Sequence, residues 1–155
     1  MDLVPGQTIK AISILQPWAS LIAAEAKKIE TRSWKTQYRG PLAIHASKAF
    51  SKENKDFAAI IPELKGKDIY CGHIIAVVNL TDCVKVESWD EERGEASLLS
   101  GNNHYHVEGR EFLFGNYAPG RYGWILENIT PIKPVEAKGQ LSLWDWTLPN
   151  NLELL

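Results

Sequence analysis

The hydrophobic and polar positions change period several times along the chain. Ile12–Leu15 is a short apolar stretch that predicts a strand after a loose leader. Pro17 stands where a helix begins, because its fixed φ and missing N–H suit the first turn. Trp18, Leu21, Ile22 and Ala26 then recur at spacings of three and four, the buried stripe of a short helix. Ala19, Ala23 and Ala24 add helix propensity. From Ile29 the period drops to two, with Ile29, Thr31 and Ser33 facing one way and Glu30, Arg32 and Trp34 the other. Tyr38-Arg39-Gly40-Pro41 has turn chemistry, and Pro41–Ser47 reads as a second strand.

Lys48–Leu64 predicts a helix with Phe50, Phe57, Ile60, Ile61 and Leu64 as its apolar set. Gly72–Leu80 is an almost continuous apolar run, the pattern of a strand covered on both faces. Ser88–Leu99 reads as an acidic helix and Gly101–Gly109 as a polar loop. Glu111–Tyr117 and Tyr122–Glu127 read as strands flanking the Ala118-Pro119-Gly120 turn. Val135–Ala137 adds a short strand, and Leu141–Trp146 gives an aromatic-rich end. Many short strands with two or three helices inserted, and no steady βαβ alternation, predict an α+β protein. The expected architecture is a small, mostly antiparallel β-barrel rather than a doubly wound sheet.

Composition bounds this picture without changing it. A length of 155 residues suits a single domain spanning 1–155, and 45% apolar residues supply a core without help from disulfides or metal. The net charge of −2 argues against wrapping long duplex, since that affinity comes from neutralising many phosphates. The charge is nonetheless polarised. Lys27, Lys28, Arg32, Lys35, Arg39, Lys48, Lys52 and Lys55 come early, whereas Asp90, Glu91, Glu92 and Glu95 gather later. Two cysteines, Cys71 and Cys83, are too few for a secreted disulfide scaffold. The first residues lack the basic start and apolar run of a signal peptide, and no stretch is long enough for a bilayer span. A cytoplasmic location without membrane contact is the expectation.

The chemistry-bearing residues cluster early: Gln16, Pro17, Trp18, Lys27, Glu30, Arg32, Trp34, Arg39, His45 and Lys48. Glu30 and Arg32 are same-face neighbours on adjacent pleats, with Lys27 at the preceding corner. Such a trio either forms surface ion pairs or lines a cleft in which Glu30 orients cations and Arg32 presents a planar donor fork. Burial and Lys28 or Arg32 would lower the Lys27 pKa, and Glu30 would raise it, so the sign stays open. Trp18 and Trp34 can stack on a base or pack in the core, whereas Trp124, Trp144 and Trp146 suit a core. His45 reads as a structural histidine or as a substrate contact and proton shuttle. Cys71, His73, His104 and His106 lack a supporting metal motif, so neither metal nor cofactor is expected.

The stretch SILQPWASLI…KKIETRSWKTQYRGPLAIHASK closely resembles the opening of ASCH (activating signal cointegrator homology) domains of the PUA-like superfamily. The family signature G-x-K-x-x-E-x-R reads here as Glu25-Ala26-Lys27-Lys28-Ile29-Glu30-Thr31-Arg32, with glutamate where glycine is usual. The resemblance resumes at Gly123-Trp124-Ile125-Leu126-Glu127-Asn128 and at Lys138-Gly139-Gln140. It implies a PUA-like pseudo-barrel with a cleft lined by Lys27, Glu30 and Arg32, and an association with RNA binding, RNA processing and transcriptional coactivation. Some short members are similar to amidohydrolases of N4-acetylcytidine that use a lysine at the place of Lys27, a threonine and a distal glutamate. The threonine's place is taken here by Glu30, and Thr31 faces the other way.

Three functions follow as expectations. The first is an RNA- or modified-nucleotide-binding domain that contacts its ligand through Gln16, Trp18, Arg32, Trp34, Arg39, His45 and Lys48. The second is a hydrolase on a modified nucleoside or RNA, an amidohydrolase or ribonuclease using Lys27 and Glu30 as catalytic residues. The third is a protein-interaction module of the coactivator type.

Overall fold

The computed structural model describes residues 1–155. In chain order it contains β1 (Thr8–Ile14), α1 (Trp18–Ala23), β2 (Ile29–Arg32), β3 (Gly40–Ala46) and α2 (Lys52–Ile60). A 3-10 turn at Pro62–Leu64 is followed by β4 (His73–Asp90), β5 (Glu95–Ser100), β6 (Asn103–Glu108), α3 (Gly109–Leu113), β7 (Tyr122–Glu136) and β8 (Trp144–Thr147). The mixed α+β class is therefore as the residues predict. The hydrogen-bonded strand order β2-β7-β4-β3-β1-β8 has β2 and β8 as its two ends, so the ladder does not close into the expected barrel. The chain divides into two compact units: Met1–Ala26, Pro41–Asn79 and Asn128–Leu155 form the first, Lys27–Gly40 and Leu80–Glu127 the second.

In the first unit β1 lies parallel to β3 and antiparallel to β8. A parallel pair needs a long crossover, and the residues between Ile14 and Gly40 supply it. Ile9, Ala11, Ala43, Ile74, Val77, Ile132, Trp144 and Leu148 form the core of this unit.

Helix α1 ends in a Schellman motif. The Ala26 N–H reaches back to Leu21 O and the Glu25 N–H to Ile22 O, both at 2.9 Å. The residue that must turn left-handed is Glu25, at φ +61°. The helix thus stops as a glycine would stop it, with a side chain in a conformation that disfavours one.

Helix α2 starts four residues later than the apolar pattern predicts, because Ser51 caps it by accepting the Asn54 N–H at 3.1 Å. Pro62 disfavours helical backbone at Ile61, and Leu64 is instead buried from the 3-10 turn.

The second unit corrects three sequence expectations. Ser88–Leu99 is not a helix but the end of β4, a turn and β5, with Ala96 and Leu98 buried at a period of two. The turn is set by Gly94 at φ +67°, whose N–H reaches Asp90 O at 2.9 Å. Gly101–Gly109 is not a loop, because Asn103–Glu108 pairs with β5 across a two-residue hairpin at Gly101-Asn102. A glycine with positive φ at the first central position favours such a turn. Glu111–Tyr117 is not a strand: α3 turns immediately after β6, and it leads to the buried Phe114 and Tyr117. β2 pairs antiparallel with β7, Glu30 opposite Trp124. Ile29, Val84, Val86, Ala96, Leu98, Val107, Tyr117 and Ile125 form the core beneath it.

Candidate functional site

In the second unit, β2 carries the signature residues, and its alternation puts Glu30 and Arg32 on one face and Thr31 on the other. Thr31 is occupied elsewhere, its hydroxyl oxygen accepting the Asn116 N–H at 3.1 Å. Lys27 is 1% exposed and Glu30 7%, so both lie inside the protein rather than in a surface ion-pair network. The Lys27 ammonium donates to Ile29 O. Burial pushes the Lys27 pKa below the usual lysine range, and the carboxylates of Glu30 and Glu111 oppose it.

The sequence reading missed two partners in this cluster. Glu111, on α3, accepts the Lys28 N–H through Oε1 at 2.7 Å, while its Oε2 is buried without a hydrogen-bond partner. Burial raises the Glu111 pKa against the pull of Lys27 and of the Lys28 and Ile29 N–H groups. Tyr117 is 1% exposed and its hydroxyl is also unpartnered. Burial, with the Glu111 and Glu30 carboxylates nearby, pushes its pKa well above the usual phenol range. A half-satisfied group of this kind is rare in a protein interior and marks either stored cost or chemistry.

Arg32 is more open, its side chain 26% exposed. Its Nη1 donates to Glu30 Oε2 at 3.1 Å, and its guanidinium carbon lies 5.8 Å from the centre of the Trp34 ring. The half-buried Trp34 stands edge-on to Trp124 at 4.8 Å, and its carbonyl accepts the Trp124 indole N–H at 3.4 Å. One cation is therefore held by a carboxylate below and an aromatic ring beside it. Arg39 is exposed and makes local bonds to Thr36 O and Tyr38 O, both 2.9 Å, with Asp82 at 3.7 Å.

The remaining expected ligand contacts lie in the first unit. Gln16 is fully buried. Its amide donates to Ser20 Oγ at 2.7 Å and Tyr70 O at 2.8 Å, and its oxygen accepts the Ser20 N–H at 2.9 Å. These bonds fasten the start of α1 and leave Gln16 little capacity for a ligand. Trp18 is half-buried against Phe57, ring centres 5.9 Å apart. His45 is 2% exposed, hydrogen-bonded at both ring nitrogens, and Lys48 is exposed two residues beyond β3.

Comparison with known proteins gives first the fold, then the family. The ASCH protein of Zymomonas mobilis superposes with a TM-score of 0.52 at 16% identity, covering 91% of this chain and 87% of that one. Residues 12–136 match the ASCH domain family model, and the chain belongs to the ASCH domain family. Activating signal cointegrator 1 of Homo sapiens is 35% identical over 97 residues, 57% of this chain and 17% of that protein. The Mus musculus protein of the same name is 34% identical over 104 residues, 62% of this chain and 18% of its own length. The chain thus spans less than a fifth of these relatives.

Proposed function

We propose that this ASCH domain binds single-stranded RNA or a nucleotide, with Arg32 and Trp34 as the principal contacts. The observation that carries the reading is the half-open Arg32 guanidinium, fixed by Glu30 and flanked by Trp34. A planar fork held in place loses little freedom on meeting a phosphate or a base edge. A neighbouring indole offers stacking worth roughly 1–3 kcal/mol per base. The near-neutral total charge favours a short ligand over a duplex. Lys27 is enclosed, and it supports the reading by organising β2 from within. The test is a titration with a short single-stranded RNA and with mononucleotides, read by tryptophan fluorescence at two salt concentrations. Saturable quenching that weakens at higher salt supports the proposal; no signal with any of them refutes it.

A second reading, hydrolysis of an acylated nucleoside, is favoured by one specific feature: Lys27, Glu30, Glu111 and Tyr117 are ionisable groups gathered in an apolar setting. A lysine with a lowered pKa can act as a base near neutral pH, and a carboxyl with a raised one can return the proton. Turnover of N4-acylcytidines, followed by chromatography and lost in Lys27→Ala and Glu111→Gln, would establish it. No turnover by the native chain would remove it for those substrates.

A further inference from the structure

Ser13 and His45 occupy opposed positions on the parallel strands β1 and β3 of the first unit. Ser13 Oγ lies 2.9 Å from His45 Nδ1, and His45 Nε2 lies 2.7 Å from Ala137 O. A backbone carbonyl can only accept, so Nε2 carries the ring proton. In the neutral ring Nδ1 then holds the lone pair, and the Ser13 hydroxyl donates to it. Burial lowers the His45 pKa, more than the Ala137 carbonyl raises it, and His73 adds to the lowering. Burial thus favours the neutral ring, whose Nδ1 lone pair accepts the serine hydroxyl proton.

The pair has a built surround. A cavity of about 680 Å³ is lined by both residues and by Lys48, His73, Lys138 and Leu141. Gly139 also lies on its wall, and a β-carbon there would stand 2.7 Å from Ser13 Oγ and 2.8 Å from His45 Cε1. Glycine is what lets the backbone approach the pair so closely. His45 also meets the edge of Trp144, ring centres 5.6 Å apart, which fixes the imidazole plane.

We propose that Ser13 is a nucleophile activated by His45, at an acyl-transfer site for a small carboxylic ester bearing an anionic group. A nucleophile bonded to a base that is itself oriented by a third group is the arrangement such chemistry uses. Ser13 Oγ forms a bond to the ester carbonyl carbon as its proton passes to His45 Nδ1. The carbon–oxygen bond to the alcohol then breaks, and the Nδ1 proton goes to the departing oxygen. Water then gives a proton to the same nitrogen as its oxygen bonds the acyl carbon. The bond from that carbon to Ser13 Oγ breaks, the Nδ1 proton returns to Oγ, and a carboxylic acid is released and ionises. Ala137 O holds the imidazolium that forms in each step. Lys48 and Lys138 line the cavity with only one carboxylate, Glu136, and so favour an anionic substrate.

The test uses the full chain and a fluorophosphonate, which phosphonylates an activated serine with loss of fluoride. The expected result is one adduct by intact mass, mapped to Ser13, absent in Ser13→Ala and at least tenfold slower in His45→Gln. The 4-nitrophenyl hemisuccinate ester is expected to be hydrolysed faster than 4-nitrophenyl acetate, with both rates lost in Ser13→Ala. Should His45→Gln fail to fold, Ser13→Ala decides alone, since it removes only the hydroxyl of a half-buried residue. No adduct, adducts only on other residues, or ester cleavage unchanged in Ser13→Ala would each overturn the proposal.

Discussion

Arg32 donates to Glu30 at 3.1 Å, two residues along the same strand face, with the Glu30 side chain 9% exposed and the arginine 26%. Removing the arginine strands a nearly buried carboxylate. Arg32→Ala is therefore expected to lower the unfolding free energy by about 1–3 kcal/mol in urea denaturation. Lys52→Ala breaks an ion pair of comparable length, 2.9 Å, but between side chains 90% and 66% exposed. Its unfolding midpoint is expected not to move. Equal effects from the two substitutions would deny Glu30 its enclosed setting.

Lys27 makes stability depend on alkaline pH. Its folded pKa lies below the ordinary 10.5, so between those two values the unfolded chain binds more protons than the native one. Stability must then rise with pH across that window. Lys27→Met keeps the volume and removes the titration. Urea denaturation at pH 8 and pH 10 should show the native chain gaining relative to the variant, whose own profile is flatter. Parallel profiles would mean that the amine is solvated.

Glu25 holds the left-handed position of the α1 terminus at φ +61°. Glycine adopts that conformation without the clash of a β-carbon. Glu25→Gly is expected to stabilise the domain by about 1 kcal/mol, seen as a higher Tm. A lower Tm would show that the side chain contributes more than the strained backbone costs.

The legible parts of this molecule were those with a local rule behind them. α1 follows from Pro17 and a 3–4 spacing, and β2 and β3 from alternation, so the shared face of Glu30 and Arg32 is written in the sequence. The acidic stretch near Asp90 carries the charge of a solvated helix but the period of a hairpin: Ala96 and Leu98 alternate, and Gly94 and Gly101 are hairpin glycines. Glu111 as a neighbour of Lys27, and Tyr117 as a neighbour of Glu111 and Glu30, are invisible in the sequence for another reason. They lie 84 and 90 residues beyond Lys27 in the chain, on and just after a helix of 5 residues, too short for a periodic pattern to show. The Ser13–His45 pair likewise depends on the register of a parallel ladder, which no spacing in the chain reports.

The central claim is that the planar fork of Arg32, rather than positive charge alone, holds the nucleic acid. Fluorescence anisotropy with one short single-stranded RNA tests it on the native chain, Arg32→Lys and Lys133→Ala. Arg32→Lys keeps the charge and loses the fork; Lys133→Ala loses a charge that only faces Glu153 on the surface, 3.8 Å away. The account predicts that Arg32→Lys weakens binding roughly tenfold, about 1.4 kcal/mol, while Lys133→Ala binds nearly as the native chain does. Native affinity in Arg32→Lys, or an equal loss in Lys133→Ala, would contradict it.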